Sequence, residues 1–136
     1  MSAKALVKAF YDTDLANDTK VVSKFFHKEC ELHWTGSQGF MQLDYKGMKE
    51  FFEVTRLSYT SLRFEFTHFI EANEFVTTRH TLYGCTIENS DSEIALGHFS
   101  SLWEVKDGKL YRGYEISQQV DESNAESMAS YKQIKL

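Results

Sequence analysis

Residues 94–120, IALGHFSSLWEVKDGKLYRGYEISQQV, decide the fold of this chain. Two strand-like runs, Ile94 to Val105 and Leu110 to Val120, flank the tetrapeptide Lys-Asp-Gly-Lys at positions 106–109. An Asp-Gly pair between runs rich in β-branched and aromatic residues predicts a β-hairpin with a tight turn. We therefore expect this hairpin at the centre of the fold, with the rest of the chain packed around it.

The turn leaves two registers open, and they differ in the partner of Glu115. A two-residue turn makes opposite residue numbers sum to about 215, so that Ser100 pairs with Glu115. A one-residue bulge would instead pair Ser101 with Glu115. By pattern alone, the strand face that carries Leu110, Tyr114 and Ile116 would be the one buried in the core.

Composition bounds the class of protein. The 136 residues fit one domain, and 42% hydrophobic and 15% aromatic residues can fill or line a sizeable core. The net charge of -5, with acids and bases interspersed, excludes a nucleic-acid partner. Cys30 and Cys85 lack Cys-x-x-Cys spacing, which indicates free thiols and a cytoplasmic protein. No apolar run approaches the roughly 18 residues that a membrane span needs, so we expect no membrane partner.

The N-terminal half carries three helical patterns and one strand. We expect a first helix from about Ser2 to Leu15 and a short second helix that ends near His27. Alternation from Glu29 to Thr35 indicates a half-buried strand, which the Gly-containing segment 36–39 breaks. A third helix follows, with an apolar stripe of Met48, Phe51, Phe52 and Thr55.

The C-terminal half reads as an antiparallel meander. Four runs rich in β-branched and aromatic residues have short connections between them: Leu62 to Ala72, Phe75 to Glu88, Ile94 to Val105 and Leu110 to Val120. Helices on one face of such a sheet give an α+β architecture with a cavity beneath the helices. We expect one domain over residues 1–122. Residues 123–136 are either a frayed tail or a short helix that the capping box Ser123-x-x-Glu126 opens.

Three segments carry a resemblance to a known family: Val7 to Tyr11 followed by the Asn17-Asp18 cap, Tyr45 to Phe52, and Trp103 to Leu110. In this order and spacing, residues 4–122 resemble the nuclear transport factor 2-like (NTF2-like) superfamily, and within it the SnoaL-like group of polyketide cyclases, isomerases and epoxide hydrolases. The resemblance implies a cone-shaped fold with three N-terminal helices packed on a strongly bent antiparallel β-sheet. It places Glu115 inside the cone and leaves an apolar outer face for a homodimer, with Leu102, Tyr114 and Ile116.

The resemblance also implies site residues. The catalytic aspartate of ketosteroid isomerases falls at Trp34, an indole that cannot take a proton, whereas Tyr11 matches the tyrosine of their first helix. Arg79 and Glu115 match two positions of limonene epoxide hydrolases, but a strand acid of the water-activating set is missing. In the cyclases an acidic residue on the last strand works with a histidine, for which Glu115 and His98 are the counterparts. The implied catalytic residues are Glu115, His98 and Tyr11.

The aromatic residues indicate what the cavity holds. The candidate substrate-binding residues are Trp34, Phe52, Trp103, Arg79 and Ser101. An apolar wall with few polar groups suits a small hydrophobic molecule, although each aromatic side chain taken alone is most simply ordinary core. Glu115 could equally be a surface carboxylate or an ion-pair partner of Arg79. No His-x-His or Glu-x-x-His spacing indicates a metal site, and we expect no cofactor.

Two classes of function follow. In the first, the cavity binds a small hydrophobic, carbonyl-bearing substrate, and Glu115 with His98 and Tyr11 moves a proton in a cofactor-independent cyclisation, isomerisation or dehydration. In the second, the chain is a dimeric accessory protein whose cavity holds a ligand or serves a partner without catalysis. The indole at position 34 favours binding, and the pair of Arg79 and Glu115 favours chemistry.

Overall fold

The computed structural model describes residues 1–132, and positions 133–136 of the predicted C-terminal tail lie outside the described residues. The helices are α1 (Ala3–Tyr11), α2 (Val21–Phe25), α3 (Tyr45–Arg56) and α4 (Ala125–Ser130). The strands are β1 (Phe26–Gly36), β2 (Gly39–Leu43), β3 (Tyr59–Ala72), β4 (Phe75–Thr86), β5 (Ile94–Lys106) and β6 (Lys109–Gln119). In the described part of the chain, no helix has the length and apolar character to cross a membrane.

The six strands form one mixed sheet in the order β2-β1-β6-β5-β4-β3. Four neighbouring pairs are antiparallel, and β1 runs parallel to β6. The predicted α+β architecture is confirmed, but the prediction of an entirely antiparallel sheet is wrong at the pairing of β1 with β6. A parallel pair needs a long crossover, and the chain supplies one because β2, α3 and the strands β3 to β5 separate β1 from β6.

Three N-terminal helices are not confirmed. Only α1 and the five-residue α2 precede the first strand, and α3 follows a hairpin of β1 and β2. The segment 36–39, expected to be a simple break, is the turn of this hairpin, where Gly39 has a φ of +111°. Helix α2 ends early because Phe26, which continues the helical stripe, is buried as the first residue of β1.

The sheet curls around the helices. Helix α1 contacts β3, β4 and β5, whereas α3 contacts β1, β2 and β3. Because β2 and β3 are the two edges of the sheet, one helix can touch both only if the sheet is strongly bent. Apolar side chains of the helices, including Val7, Phe10 and Met48, are buried against the concave face.

The central hairpin adopts the bulged register. Its turn residues Asp107 and Gly108 have φ values of +55° and +71°, as a type I′ turn requires. The register shifts two strand positions from the turn, and beyond this shift Ser101 pairs with Glu115. The second of the two registers left open by the sequence is therefore the one observed.

The bulge decides which apolar residues of the hairpin are buried. Leu110, on the turn side of the bulge, is fully buried, whereas Leu102, Tyr114 and Ile116 are 40%, 45% and 68% exposed. The face expected from pattern alone is thus divided between the two sides of the sheet, because an extra residue reverses the alternation beyond it. The exposed residues lie on the face predicted for a homodimer, and the homodimer stays a prediction.

Helix α4 lies in the segment expected to be a frayed tail or a short helix. Its cap is Asn124 rather than the predicted Ser123, because the Asn124 side chain accepts a hydrogen bond of 3.0 Å from the backbone nitrogen of Ser127. No residue of α4 is buried. The helix therefore adds little to the core. Its last residue, Ser130, and the following Tyr131 lie against the convex side of the sheet.

Candidate functional site

A cavity of about 500 Å³ lies between the helices and the concave face of the sheet. Its wall is mainly apolar, with Phe10, Leu15, Trp34, Met48, Phe51, Phe52, Phe64, Leu82, Leu96, Phe99 and Trp103. Polar side chains line it near the β1–β2 turn, at Ser37 and Gln38, and at the end of β6, at Gln118 and Gln119, and a few more lie at inner positions. This size and character suit a small hydrophobic molecule.

Glu115 is the only acidic residue among the described residues that line the cavity. The Ser101 hydroxyl, on the neighbouring strand, donates a hydrogen bond of 3.0 Å to Glu115 Oε1. Burial among apolar side chains raises the pKa of Glu115 from 4.5 to about 7, and the Ser101 hydrogen bond only partly opposes this shift. Glu115 can therefore either give or take a proton near neutral pH.

Tyr11 and Trp103 form a buried pair close to Glu115. The indole Nε1–H of Trp103 donates to the Tyr11 hydroxyl oxygen at 2.8 Å, and the side chains of Thr78 and Ser101 also lie within hydrogen-bond reach of this hydroxyl. Burial and the nearby Glu115 raise the pKa of Tyr11 well above its ordinary value, so the phenol stays protonated. Gly113 makes room for the pair, because a Cβ at this position would overlap the Trp103 ring.

Trp34 and Phe52 complete the predicted lining. Trp34 is the neighbour of Glu115 in the register of β1 and β6, and its Nε1–H donates to the Ser117 hydroxyl at 2.8 Å. The Trp34 ring meets Phe51 of α3 edge-on, with 5.4 Å between ring centroids. The structure thus brings together five predicted site residues at one cavity, with Ser101 behind them: Tyr11, Trp34, Phe52, Trp103 and Glu115.

His98 and Arg79 are not part of this cavity. The His98 ring stacks on Tyr131 at 3.8 Å, beside a second cavity of about 400 Å³ on the other side of the sheet. Arg79 lies over the same Tyr131 ring and donates to the Ser130 carbonyl oxygen at 3.0 Å. The structure therefore separates His98, expected as a catalytic partner of Glu115, and Arg79, expected to bind substrate, from the cavity that Glu115 lines. Successive residues of a strand face opposite sides, and positions 79 and 98 face away from the helices.

The sequence left open whether His80 faces the cavity, and the structure places it there. It is fully buried one position from Arg79, and its ring stacks on Phe99 at 5.2 Å. Thr78 Oγ1 lies 3.1 Å from His80 Nδ1, whereas Nε2 has no hydrogen-bond partner within residues 1–132. Burial lowers the pKa of His80 to about 3, so the ring is neutral at physiological pH. The signal for this position is the alternation of side chains along β4, because His80 and Leu82 are two residues apart and face the same side of the strand.

The family model described as SnoaL-like domain matches residues 7–113. This chain belongs to the SnoaL-like domain family. The resemblance to the SnoaL-like group expected from the three sequence segments is therefore confirmed. No curated protein matches the sequence.

Solved structures share the fold of this SnoaL-like domain. It is similar to IdmH of Streptomyces antibioticus, a candidate polyketide cyclase, with a TM-score of 0.70, 12% identity and coverage of 96% of this chain and 99% of that chain. It is similar to AclR of Streptomyces galilaeus, a candidate hydroxylase (TM-score 0.69, 13% identity, 94% and 90% covered). It is also similar to a candidate SnoaL-like polyketide cyclase of Shewanella denitrificans, with a TM-score of 0.66, 9% identity and coverage of 95% of both chains. At these identities the likeness shows the fold alone.

The cavity of this SnoaL-like domain offers a small set of chemical groups. Glu115 is its acid or base near neutral pH, Tyr11 is a neutral hydrogen-bond donor, and His80 is a neutral imidazole enclosed by aromatic rings. Within residues 1–132, no three His, Cys, Asp or Glu side chains form a group that could hold a metal ion. The arrangement can support proton transfer on a bound apolar molecule.

Proposed function

We propose that this SnoaL-like domain binds a small hydrophobic, carbonyl-bearing molecule and moves a proton on it without a cofactor. The observation that carries the proposal is the position of Glu115, a single carboxyl group at the inner wall of an apolar cavity, with a pKa of about 7. A general acid or base is most effective when its pKa lies near the working pH. Burial gives Glu115 that property.

The neighbours of Glu115 support the same role. Glu115 takes a proton from the carbon next to the substrate carbonyl, and the electron pair of the broken C–H bond moves onto the carbonyl oxygen. Tyr11, whose oxygen is occupied by the Trp103 N–H, can donate its O–H to the oxyanion that forms. Ser101 holds the Glu115 carboxyl in place through its hydrogen bond. Return of the proton to another atom completes an isomerisation. In a cyclisation the enolate carbon attacks a second carbonyl, and the alkoxide that forms takes the proton back from Glu115.

A second candidate is ligand binding without catalysis. It is favoured by Trp34, an aromatic ring at the position where the resemblance to ketosteroid isomerases implies an acid, next to Glu115 in the sheet. It is also favoured by the placement of His98 and Arg79 on the other side of the sheet, which leaves Glu115 without the partners expected of it. The same cavity then serves as a receptor for an apolar molecule.

Glu115→Gln is expected to lower turnover by about 100-fold or more, because general acid and base catalysis contributes on this order. The test is a panel of small apolar cyclic ketones and polyketide-like diketones, first screened for binding and then for proton exchange with deuterated water by NMR. Binding of a neutral compound should change little, since glutamine preserves the shape of the side chain.

Glu53→Gln is the matched control, because Glu53 is exposed on α3 and does not line the cavity. This variant should catalyse proton exchange of the bound compound at the wild-type rate. An unchanged exchange rate in Glu115→Gln would remove Glu115 as the proton carrier. Compounds that bind wild-type protein without any exchange would favour the receptor candidate.

A further inference from the structure

We propose that the cavity also binds organic ammonium ions, with the positive charge between the Glu115 carboxylate and the Trp34 indole and the apolar body along the aromatic wall. This is a binding activity with its own ligand class, beyond the proposed proton transfer. This binding does not depend on turnover, because the ligand is held by its positive charge and no proton is transferred.

Both tryptophans of the chain lie around Glu115. Trp34 is its neighbour on β1, and Trp103 packs over Gly113, two residues before Glu115 on the same side of β6. Both indole N–H groups are already bonded to protein hydroxyls, so what the rings offer a ligand is their π-surface. Trp34 is only partly buried, and part of it is open to the cavity. Tryptophan is the aromatic side chain that attracts cations most strongly.

Glu115 lacks a cationic partner in the described part of the chain. No lysine or arginine within residues 1–132 lines the cavity. Arg79 is bonded on the other side of the sheet, and Arg112 donates to the Glu29 carbonyl oxygen at 2.7 Å. A buried carboxylate without a counter-charge is costly, so it takes up either a proton or a cation. A ligand that carries its own positive charge supplies what this protein does not.

The charge of the cavity near neutral pH is set by Glu115. The titratable side chains that face the cavity are Glu115, Tyr11 on α1, His80 on β4 and Tyr59 on β3. The pKa of Tyr11 is raised far above neutral, and the pKa of His80 is about 3, so neither changes charge between pH 5.5 and 8.5. The state of Glu115, with a pKa of about 7, changes from mostly protonated to mostly ionised in this range.

The test uses two probes of the same shape, 4-tert-butylbenzyl alcohol and the isostere in which trimethylammonium replaces tert-butyl, titrated by calorimetry. At pH 8.5 the cation should bind wild-type protein at least about 10-fold more tightly than the alcohol. Its affinity should weaken about 30-fold at pH 5.5, where only a small fraction of Glu115 with a pKa of about 7 is ionised. Affinity for the alcohol should stay nearly constant.

Two variants separate the contributions of the carboxylate and the ring. Glu115→Gln should reduce the preference for the cation and abolish its pH dependence, whereas Trp34→Leu should weaken binding of the cation more than binding of the alcohol. Glu53→Gln, the exposed control, should behave as wild type. Equal affinities of the two probes at pH 8.5, or a cation preference that keeps its full size and its pH dependence in Glu115→Gln, would overturn the proposal. Either result would leave the proton-exchange test of Glu115 untouched.

Discussion

Glu115→Gln is expected to raise the free energy of unfolding by about 3 kcal/mol at pH 8 and to leave it nearly unchanged at pH 4. The folded-state pKa of about 7 exceeds the ordinary 4.5, so between these values the folded chain retains a proton that the unfolded chain has released. Wild-type stability from this group is therefore present below pH 4.5 and is lost as the pH rises to 7. Glutamine is neutral at every pH and still accepts the Ser101 hydrogen bond.

Urea unfolding of both proteins at pH 4 and pH 8 measures this difference, with the exposed Glu53→Gln as the control that should show none. A loss of stability in Glu115→Gln at pH 8 would mean that the carboxylate is stabilised by a partner. An ion pair of that kind was one of the alternatives left open by the sequence. The position of Arg79, bonded to Ser130 on the convex side, argues against it.

His80 is expected to make the fold sensitive to acid, by up to about 5 kcal/mol between pH 6.5 and pH 3. Its pKa falls from 6.5 in the ordinary state to about 3 in the folded chain, because the ring is buried among aromatic side chains. Within this range the unfolded chain binds a proton that the folded chain cannot. Stability from this group is therefore present above pH 6.5 and is lost as the pH falls to 3.

His80→Phe removes this proton site while it keeps a flat ring in the same aromatic cluster. The difference in unfolding free energy between the variant and wild type at pH 8 gives the baseline for packing and for the lost Thr78 contact. Relative to that baseline, His80→Phe should become progressively more stable than wild type as the pH falls. A difference that does not change with pH would show that the pKa of His80 is not lowered in the folded protein.

The sequence predicted those parts of the site that depend on one hairpin and on the resemblance. The Asp-Gly turn located β5 and β6, and the resemblance placed Glu115, Tyr11 and Trp34 at a common cavity. Pattern alone would have turned Glu115 outward, because it groups Leu110 with Tyr114 and Ile116. The bulge reverses this alternation, and a bulge has no reliable signal in the residues that form it.

The placement of the histidines could not be derived in the same way. His80 and His98 lie on strands whose mutual register depends on tertiary contacts, and a shift of one residue exchanges the cavity side with the convex side. The parallel pairing of β1 with β6 is equally invisible, since these strands are far apart in the chain and no local turn joins them. Both uncertainties concern long-range pairing rather than local propensity.

The most direct test of the central claim is the titration of the Glu115 carboxyl group itself. Protein labelled with ¹³C at the glutamate side-chain carboxyl carbon would be followed by NMR from pH 3 to pH 9, with Glu115→Gln identifying the resonance. A cavity that holds a proton carrier predicts a midpoint near the pKa of about 7 that burial produces. A midpoint near 4.5, the ordinary value for glutamate, would show a solvated or paired carboxylate and would contradict the account.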